Sequence, residues 1–260
     1  MINEIFWFII FMSIFWLIQK KWDQHQLEKS AKENKTMLNE MYIEKHEVED
    51  INANEYRDLD LNFYDETRKE FERLGFRHIC DSINKTVLKA VPNSRTFIRV
   101  MLGRDQFTAV GIFNLRFQGF LRIVQLFGVI PRNMKTIDLE TEFEDGSFIS
   151  TTTANFALMN THPKIYRESL RQATSIEKLI EIHNERIGKH ETEFNTRPVL
   201  VKDKHEIQKS QDRFTRLQSQ YRKNVGGIVT KEEMDKITEG TGLRKIGEEV
   251  QKEMEKKKYR

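Results

Sequence analysis

The chain has 260 residues, of which 38% are hydrophobic and 32% are charged, and its 43 Lys and Arg nearly cancel its 40 Asp and Glu. Its length and apolar content are sufficient for one hydrophobic core with extensions. A formal net charge of +3 lacks the strong basic field of nucleic-acid-binding proteins, so we expect no nucleic-acid partner. The single cysteine excludes a framework of intramolecular disulfides.

The first eighteen residues are almost wholly apolar, and two lysines follow them closely. A helix of this length reaches about 27 Å, close to the roughly 30 Å hydrocarbon core of a bilayer. The sequence therefore predicts a transmembrane anchor over residues 1–20 and a lipid bilayer as its partner. The predicted membrane-interface residues are Trp16, Lys20, Lys21 and Trp22, together with Arg122 in a later apolar segment.

A cleaved signal peptide is the alternative interpretation of this segment, but the chain has neither a basic start nor a small-residue cleavage site. Basic residues follow the apolar run and none precedes it. Because basic flanks are retained on the cytoplasmic side, we expect a single-pass protein of the cell membrane. Its N-terminus would lie outside and its body in the cytoplasm.

Residues 21–60 are mostly polar and predict a helical stalk or linker. Seven positions within them follow the alternating four- and three-residue steps of a coiled-coil seam: Leu27, Ala31, Asn34, Leu38, Met41, Lys45 and Val48. A solvated single helix is the favoured alternative, because two of these positions are polar. If helices do pair, a buried Asn34 favours a parallel dimer, so the expected partner is a second copy or another protein held through helical segments.

The central part of the chain, residues 61–192, predicts an α+β domain. An apolar stripe over 61–74 predicts a helix that ends at Gly75. Alternating residues from 95 to 102, followed by an apolar run over 107–115, predict a β-hairpin.

A second hairpin is predicted by alternation over 137–144, a turn around Gly146 and a strand over 148–153. Between the hairpins, the apolar segment 120–130 is flanked by basic residues. We interpret it as a short helix packed across the sheet, with contact to membrane headgroups as the alternative.

Helices dominate the remainder of the chain. Thr174 and Glu177 form a capping-box pattern before a helix over 176–187. The rest, residues 193–260, predicts a charged helical extension. Its predicted features are a helix over 204–223, a break at Gly226 and Gly227, a capping box of Thr230 and Glu233, and a final helix from Leu243. The predicted fold is therefore an antiparallel sheet of two or more hairpins covered by helices, preceded by the anchor and stalk.

A row of carboxylates is the most conspicuous polar feature. Asp138, Glu140, Glu142 and Glu144 alternate along the predicted strand and so share one face of the sheet. Such a row is able to bind a divalent cation or a basic partner. We favour a solvated sheet face, relieved by cross-strand pairs to arginines such as Arg95 and Arg99.

Other candidate groups do not converge on a reaction. Ser150 to Thr153 suit a strand, the seven-residue spacing of His183 and His190 is too wide for one shared metal, and Cys80 near His78 has no residue to orient a base. The sequence also lacks the common nucleotide, zinc-protease and hydrolase motifs. We therefore expect no cofactor and no metal.

Two functions are consistent with these patterns. The first is a membrane-anchored, non-enzymatic module whose α+β domain binds a protein or the membrane surface. The second is a membrane-tethered hydrolase or divalent-metal enzyme that uses the acidic strand 138–144, with Glu140 and Glu142 as the candidate catalytic residues.

Overall fold

The computed structural model describes residues 24–117, 134–154, 160–170 and 174–238, and short helical pieces at 248–249, 251–252 and 254–255. The strands are β1 (Val48–Asp50), β2 (Arg77–Asn84), β3 (Ser94–Arg95), β4 (Ile98–Leu102), β5 (Ala109–Phe117), β6 (Met134–Glu142), β7 (Phe148–Thr152) and β8 (Ile165–Ser169). The helices are α1 (Gln24–Met41), α2 (Leu61–Arg73), α3 (Lys85–Ala90), α4 (Ile176–Phe194), α5 (Lys204–Asn224) and α6 (Lys231–Thr238), and a 3-10 turn spans Ala53–Tyr56.

The strands form one sheet in the order β1-β2-β4-β5-β6-β7-β8, with β3 paired to β5. Every neighbouring pair is antiparallel except β7 and β8, which are parallel. The two predicted hairpins are β4–β5 and β6–β7, in which Val100 lies opposite Gly111 and Glu140 opposite Ser150. The predicted α+β class, with a mostly antiparallel sheet covered by helices, is confirmed.

Helices α2 and α4 cover one face of the sheet and form the main core with it. Tyr64 and Phe71 of α2, Leu179 of α4, Met101 and Ile112 are all fully buried there. Full burial of one such side chain contributes about 1.5–3 kcal/mol. The Tyr64 ring stacks on Phe97 at 4.0 Å, and its hydroxyl donates to the Phe97 carbonyl at 2.8 Å, which ties α2 to the segment before β4.

Helix α5 crosses the opposite face, which we call the α5 face. Near its start, Ile207 packs with Leu102 of β4, and further along Phe214 packs with Phe148 of β7 and Ile165 of β8. Asp203 caps the helix by accepting a hydrogen bond from the Glu206 amide at 3.0 Å. The predicted helix over 204–223 therefore matches α5, and its apolar contacts fall at two separate places rather than in one continuous stripe.

The membrane predictions are contradicted by the structure. In the ranges that it describes, no helix is both long enough and apolar enough to cross a membrane. Helix α5 has 21 residues, but charged and amide side chains occur along its whole length. The predicted single-pass topology and the predicted cell-membrane location with a cytoplasmic body are therefore corrected, whereas the bilayer partner stays a prediction. The predicted anchor over 1–20, with Trp16, Lys20, Lys21 and Trp22, lies outside the described residues, as does the segment 120–130 with Arg122.

The proposed coiled-coil seam is interrupted. Helix α1 ends at Met41, so Lys45 lies in a loop and Val48 begins edge strand β1. Leu38 and Met41 are fully buried within this chain, where α1 packs against α3. Apolar spacing that suggested pairing between two chains is thus used for packing inside one.

The helix caps agree with the sequence in one case and differ by one residue in the other. Ser175, rather than Thr174, caps α4 by accepting from the Lys178 amide at 3.2 Å. Before α6, the Thr230 amide donates to the Glu233 carboxylate at 2.8 Å, and the Glu233 amide donates back to the Thr230 hydroxyl at 3.3 Å. The second capping box is therefore confirmed. Most of the predicted final helix from Leu243 lies outside the described residues.

Candidate functional site

The carboxylate row of β6 is buried beneath α5. Asp138 is 2% exposed, Glu140 is 7% exposed and Glu142 is 5% exposed, whereas Glu144, past the end of the strand, is exposed. The expectation of a solvated face was wrong. Alternation did place the carboxylates on one face, as predicted, but a helix rather than water covers that face.

The expected arginine partners of the row belong to other contacts. Arg99 lies on the α2 side of the sheet, where Nε and Nη2 donate to Asp81 at 2.8 and 2.9 Å and Nη1 donates to Asp65 at 2.7 Å. Arg95 pairs with Asp58 at 2.7 Å. These two arginines therefore do not compensate the charge of the acidic row.

Each buried carboxylate has a different set of partners. Glu142 forms a two-point ion pair with Arg213 of α5, with Nη2 to Oε2 at 2.6 Å. Asp138 accepts a hydrogen bond from the Ser150 hydroxyl at 3.1 Å. Glu140 accepts one from the side-chain amide of Gln211, also on α5. The charge of Glu142 is thus compensated directly, whereas the partner of Glu140 is a neutral amide.

Burial makes the Glu140 carboxyl a weaker acid than an exposed glutamate. Removal from water raises the pKa of its carboxyl to about 7, and the nearby negative charge of Asp138 adds to this, against the hydrogen bond from Gln211. A carboxyl with this pKa is present in both protonation states near neutral pH. Such a group occurs more often at functional sites than on ordinary surfaces.

A pocket lies between α5 and the sheet, next to this group. We call it the α5 pocket; its volume is about 120 Å³. An apolar cavity of about 150 Å³ in another protein holds benzene, so this one has room for a group of about the size of one ring. Its apolar wall includes Val87, Leu88, Ile98, Val100, Phe113 and Ile207, and its acidic end is formed by Asp138 and Glu140.

Small residues on β5 create the space for the pocket. Ala109 and Gly111 line it from the central strand of the sheet, and Gly111 lies between Val100 on β4 and Asp138 on β6. Larger side chains at these two positions would extend towards α5 and fill the gap. The pocket therefore follows from the alternation of small residues on this face of β5.

One polar side chain at the pocket has no partner among the described residues. Gln218 of α5 is 5% exposed and lines the pocket, yet neither its Nε2 nor its Oε1 forms a hydrogen bond. An unpaired buried polar group costs about 1–3 kcal/mol relative to a satisfied one. A ligand that supplied a donor and an acceptor here would recover that free energy.

Two other potentially reactive side chains line the pocket in inactive forms. Burial raises the pKa of the Cys80 thiol to about 11, so the thiol stays protonated at neutral pH. His46 is held neutral, since its Nε2 donates to the Met41 carbonyl at 2.8 Å and its Nδ1 accepts from the Asn84 amide at 2.7 Å. Burial also lowers the pKa of His46. Neither residue is a candidate nucleophile or base.

The histidines of α4 have structural contacts on the other side of the sheet. Burial lowers the pKa of His183 to about 3, and its ring nitrogens bond the hydroxyls of Thr141 and Thr151 at 3.0 and 2.9 Å. The neutral ring therefore joins α4 to β6 and β7. The two histidines do not meet at a shared metal.

A serine, a histidine and an aspartate also meet at the β6–β7 turn, in an order that does not suit catalysis. The Ser147 hydroxyl donates to Asp145 at 2.6 Å and lies 2.7 Å from His190 Nε2, and Ser147 is 2% exposed. In a catalytic triad the carboxylate orients the histidine, whereas here it accepts a hydrogen bond from the serine hydroxyl. The contacts fasten the turn to α4.

In the portion of the chain that the structure covers, no three His, Cys, Asp or Glu side chains are close enough together to hold a metal ion.

Comparison with protein family models, with curated protein sequences and with solved structures finds no match to this chain. The case for a function therefore depends on the α5 pocket itself.

Sequence reasoning identified part of this site. It singled out Glu140 and Glu142, which the structure places on the face that α5 covers, but only Glu140 borders the pocket. It missed Gln211 and Gln218, which are seven residues apart and thus lie on one face of α5. That spacing was a readable signal, although a pair of glutamines on a charged helix is usually a solvated surface.

Proposed function

We propose that this protein is a binding module that holds a small, partly apolar organic molecule in the α5 pocket. The observation that carries the proposal is the combination of an apolar wall with a buried amide, Gln218, that has no partner in the described structure. Ligand sites typically join a mostly apolar wall to a few well-placed polar groups. The sequence suggested a module that binds a protein or the membrane surface, whereas this proposal names a small molecule as the ligand.

An occupant would improve two kinds of contact. Wall residues such as Val100 and Ile98 are only partly buried, and part of the surface of each borders the pocket. Apolar atoms facing an empty space lose dispersion contacts, and apolar surface removed from water contributes about 25 cal/mol per Å². The Gln218 amide would gain hydrogen bonds as well. Packing and polar terms therefore both favour a ligand.

Binding of benzyl alcohol to the full chain tests this function. We expect saturable binding by calorimetry, because the alcohol has one ring and one hydroxyl that fit the apolar wall and the amide. Val100→Phe should weaken the binding at least tenfold by filling the pocket. Leu200→Phe is the matched control, because Leu200 is 58% exposed and lies outside the pocket.

Two variants that fill the pocket, Val100→Phe on β4 and Ala109→Leu on the neighbouring strand β5, make the outcome decisive. Thermal unfolding and circular dichroism establish that each variant is folded. Binding that is unchanged in both folded variants, or no binding to the original chain, would overturn the proposed function.

A second candidate function is acid–base catalysis by Glu140. It is favoured by one observation, the pKa of about 7 at a carboxyl beside Asp138 in a pocket. Unequal carboxyl pairs of this kind supply an acid and a base in several enzymes. Glu142 does not share this role, because its ion pair with Arg213 holds it as a structural contact.

Hydrolysis of chromogenic nitrophenyl esters and glycosides tests the catalytic candidate. Catalysis predicts turnover that depends on an ionisation near pH 7 and is lost in Glu140→Gln. Turnover that is absent, or equal in the variant, counts against an enzyme and leaves the binding proposal in place.

A further inference from the structure

We propose that the ligand of the α5 pocket carries a protonated amine that binds at Glu140, with its apolar part lying over β4 and β5. This inference depends on the proposed function and specifies the chemical class of its ligand. It rests on the distribution of charge in the pocket and on the unpaired polar atoms of α5.

The pocket has distinct apolar and acidic ends. Ile98 and Val100 on β4 and Phe113 on β5 line its apolar part, while Asp138 and Glu140 line it from β6, the next strand of the sheet. A molecule that lies across these strands would contact apolar side chains at one end and carboxyls at the other. The geometry therefore matches an amphiphilic molecule with its polar group towards β6.

The deepest charged groups of the pocket are acidic. Both carboxyls are more than nine-tenths buried, whereas the lining cations are more accessible: Lys204 is exposed and pairs with Asp50, and Arg167 is half-buried. Arg167 directs its Nε to the Ser150 hydroxyl at 3.4 Å. The positive groups lie nearer to solvent than the negative ones, so a cationic ligand group is favoured at the inner end.

Hydrogen-bonding capacity at this end also suits an amine. Among the described residues, Glu140 accepts one side-chain hydrogen bond, from Gln211, and a carboxylate has sites for about four. Gln218, two turns further along α5, lines the same pocket with a second buried acceptor that has no partner in the described part of the chain. An ammonium group supplies several donors and a compensating charge, whereas a ligand carboxylate would add a like charge beside two others.

Three ring compounds that differ only in their polar group test the inference on the full chain. Benzylamine, which is protonated at neutral pH, should bind at least tenfold more tightly than benzyl alcohol at pH 8, and benzoate should bind more weakly than the alcohol. Glu140→Gln should reduce the preference for the amine to less than threefold. Glu144→Gln, an exposed carboxylate just past the same strand, should leave it unchanged.

The pH dependence gives an independent readout. Amine binding should tighten about tenfold between pH 6 and pH 8, as Glu140 ionises, while alcohol binding should stay within about twofold. Among the described residues, the charged and titratable groups that line the pocket or pair beside Glu140 are Asp138 and Glu142 on β6, Arg167 on β8, Lys204, Asp212 and Arg213 on α5, Cys80 on β2, and Tyr42 and His46 before β1. Loss of the tightening in Glu140→Gln assigns it to that carboxyl.

The outcomes separate the two proposals. Equal binding of the amine and the alcohol would overturn the amine inference and leave the binding function standing. Tighter binding of benzoate would overturn it in favour of an acid that pairs with Arg167. If no compound binds, both proposals fail.

Discussion

Glu140 is the residue at which stability and the proposed function oppose each other. A neutral side chain at this position would pack under α5 without the free-energy cost of a buried charge. The carboxyl is instead kept beside Asp138, with a neutral amide as its hydrogen-bond partner. The raised pKa shows that the charged form of Glu140 is disfavoured in the folded chain, and we interpret this carboxyl as one that a cationic ligand would stabilise.

The first prediction concerns stability as a function of pH. The folded state binds the Glu140 proton more tightly than the unfolded state, so stability is lost as pH rises from about 4.5, the ordinary value, through about 7. Relative to Glu140→Gln, the original chain should lose about 2 kcal/mol of unfolding free energy between pH 5 and pH 8.

Urea denaturation of both proteins at several pH values measures this difference. Groups far from Glu140 contribute alike in both chains, so the subtraction removes their part of the pH dependence. A difference that stays constant from pH 5 to pH 8 would show that the Glu140 carboxyl has an ordinary pKa and would contradict this prediction.

At the scale of elements, α5 connects the pocket to the C-terminal part of the fold. Its last turn carries Arg222, which forms a buried two-point ion pair with Glu233 of α6 at 2.8 and 2.9 Å. The same arginine donates to the Ile228 carbonyl at 2.9 Å. These contacts fix the angle between α5 and the segment that follows it, and so help to fix α5 over the pocket.

The second prediction concerns this ion pair. Arg222→Met and Glu233→Gln should each destabilise the chain by about 3–5 kcal/mol, because each leaves one buried charge without its partner. The double variant should lose at least about 2 kcal/mol less than the sum of the single losses. Chemical denaturation of the four proteins gives the coupling.

Lys231→Met provides the matched control. Lys231 pairs with Asp235 across one exposed turn of α6 at 2.7 Å, and such pairs contribute less than about 1 kcal/mol. Losses at Arg222 and Glu233 that simply add, or that are as small as in the control, would contradict a structural role for the buried pair.

Elements were predictable to the extent that local patterns determine them. Alternation defined both hairpins, and the bounds of α5 followed from its helical run and the glycine break after it. The face that α5 buries was not predictable, because its inward positions include Gln218, Ser219 and Arg222 rather than a clear apolar stripe. Gln218 lines the pocket and Arg222 forms an ion pair, and a rule based on hydrophobic periodicity detects neither role.

At the scale of the whole molecule, the sheet has helices on both faces, and one of the two layers is incomplete. Helices α2 and α4 pack on their face in a continuous core, whereas the α5 face holds two smaller apolar clusters with the pocket between the helix and the strands. The acidic row could be placed on one face from sequence, but its burial could not. That burial comes from contacts such as Glu140 to Gln211, which are 71 residues apart.

The third prediction concerns the distribution of stability across the sheet. Amides of β4, β5 and β6 should exchange with solvent most slowly, because each of these strands is paired on both sides. Amides of β1, a three-residue edge strand with exposed side chains, should exchange at least a hundredfold faster. Native-state hydrogen exchange measures this, and protection of β1 equal to that of β5 would contradict the assigned strand order.

The binding of a ligand between α5 and the sheet is tested most directly by nuclear magnetic resonance of the full chain saturated with benzylamine. The account predicts intermolecular Overhauser effects from the ring protons to the methyl groups of Ile98, Val100 and Ile207, which line the apolar wall. Effects confined to methyl groups outside the pocket, with none to these three residues, would contradict it.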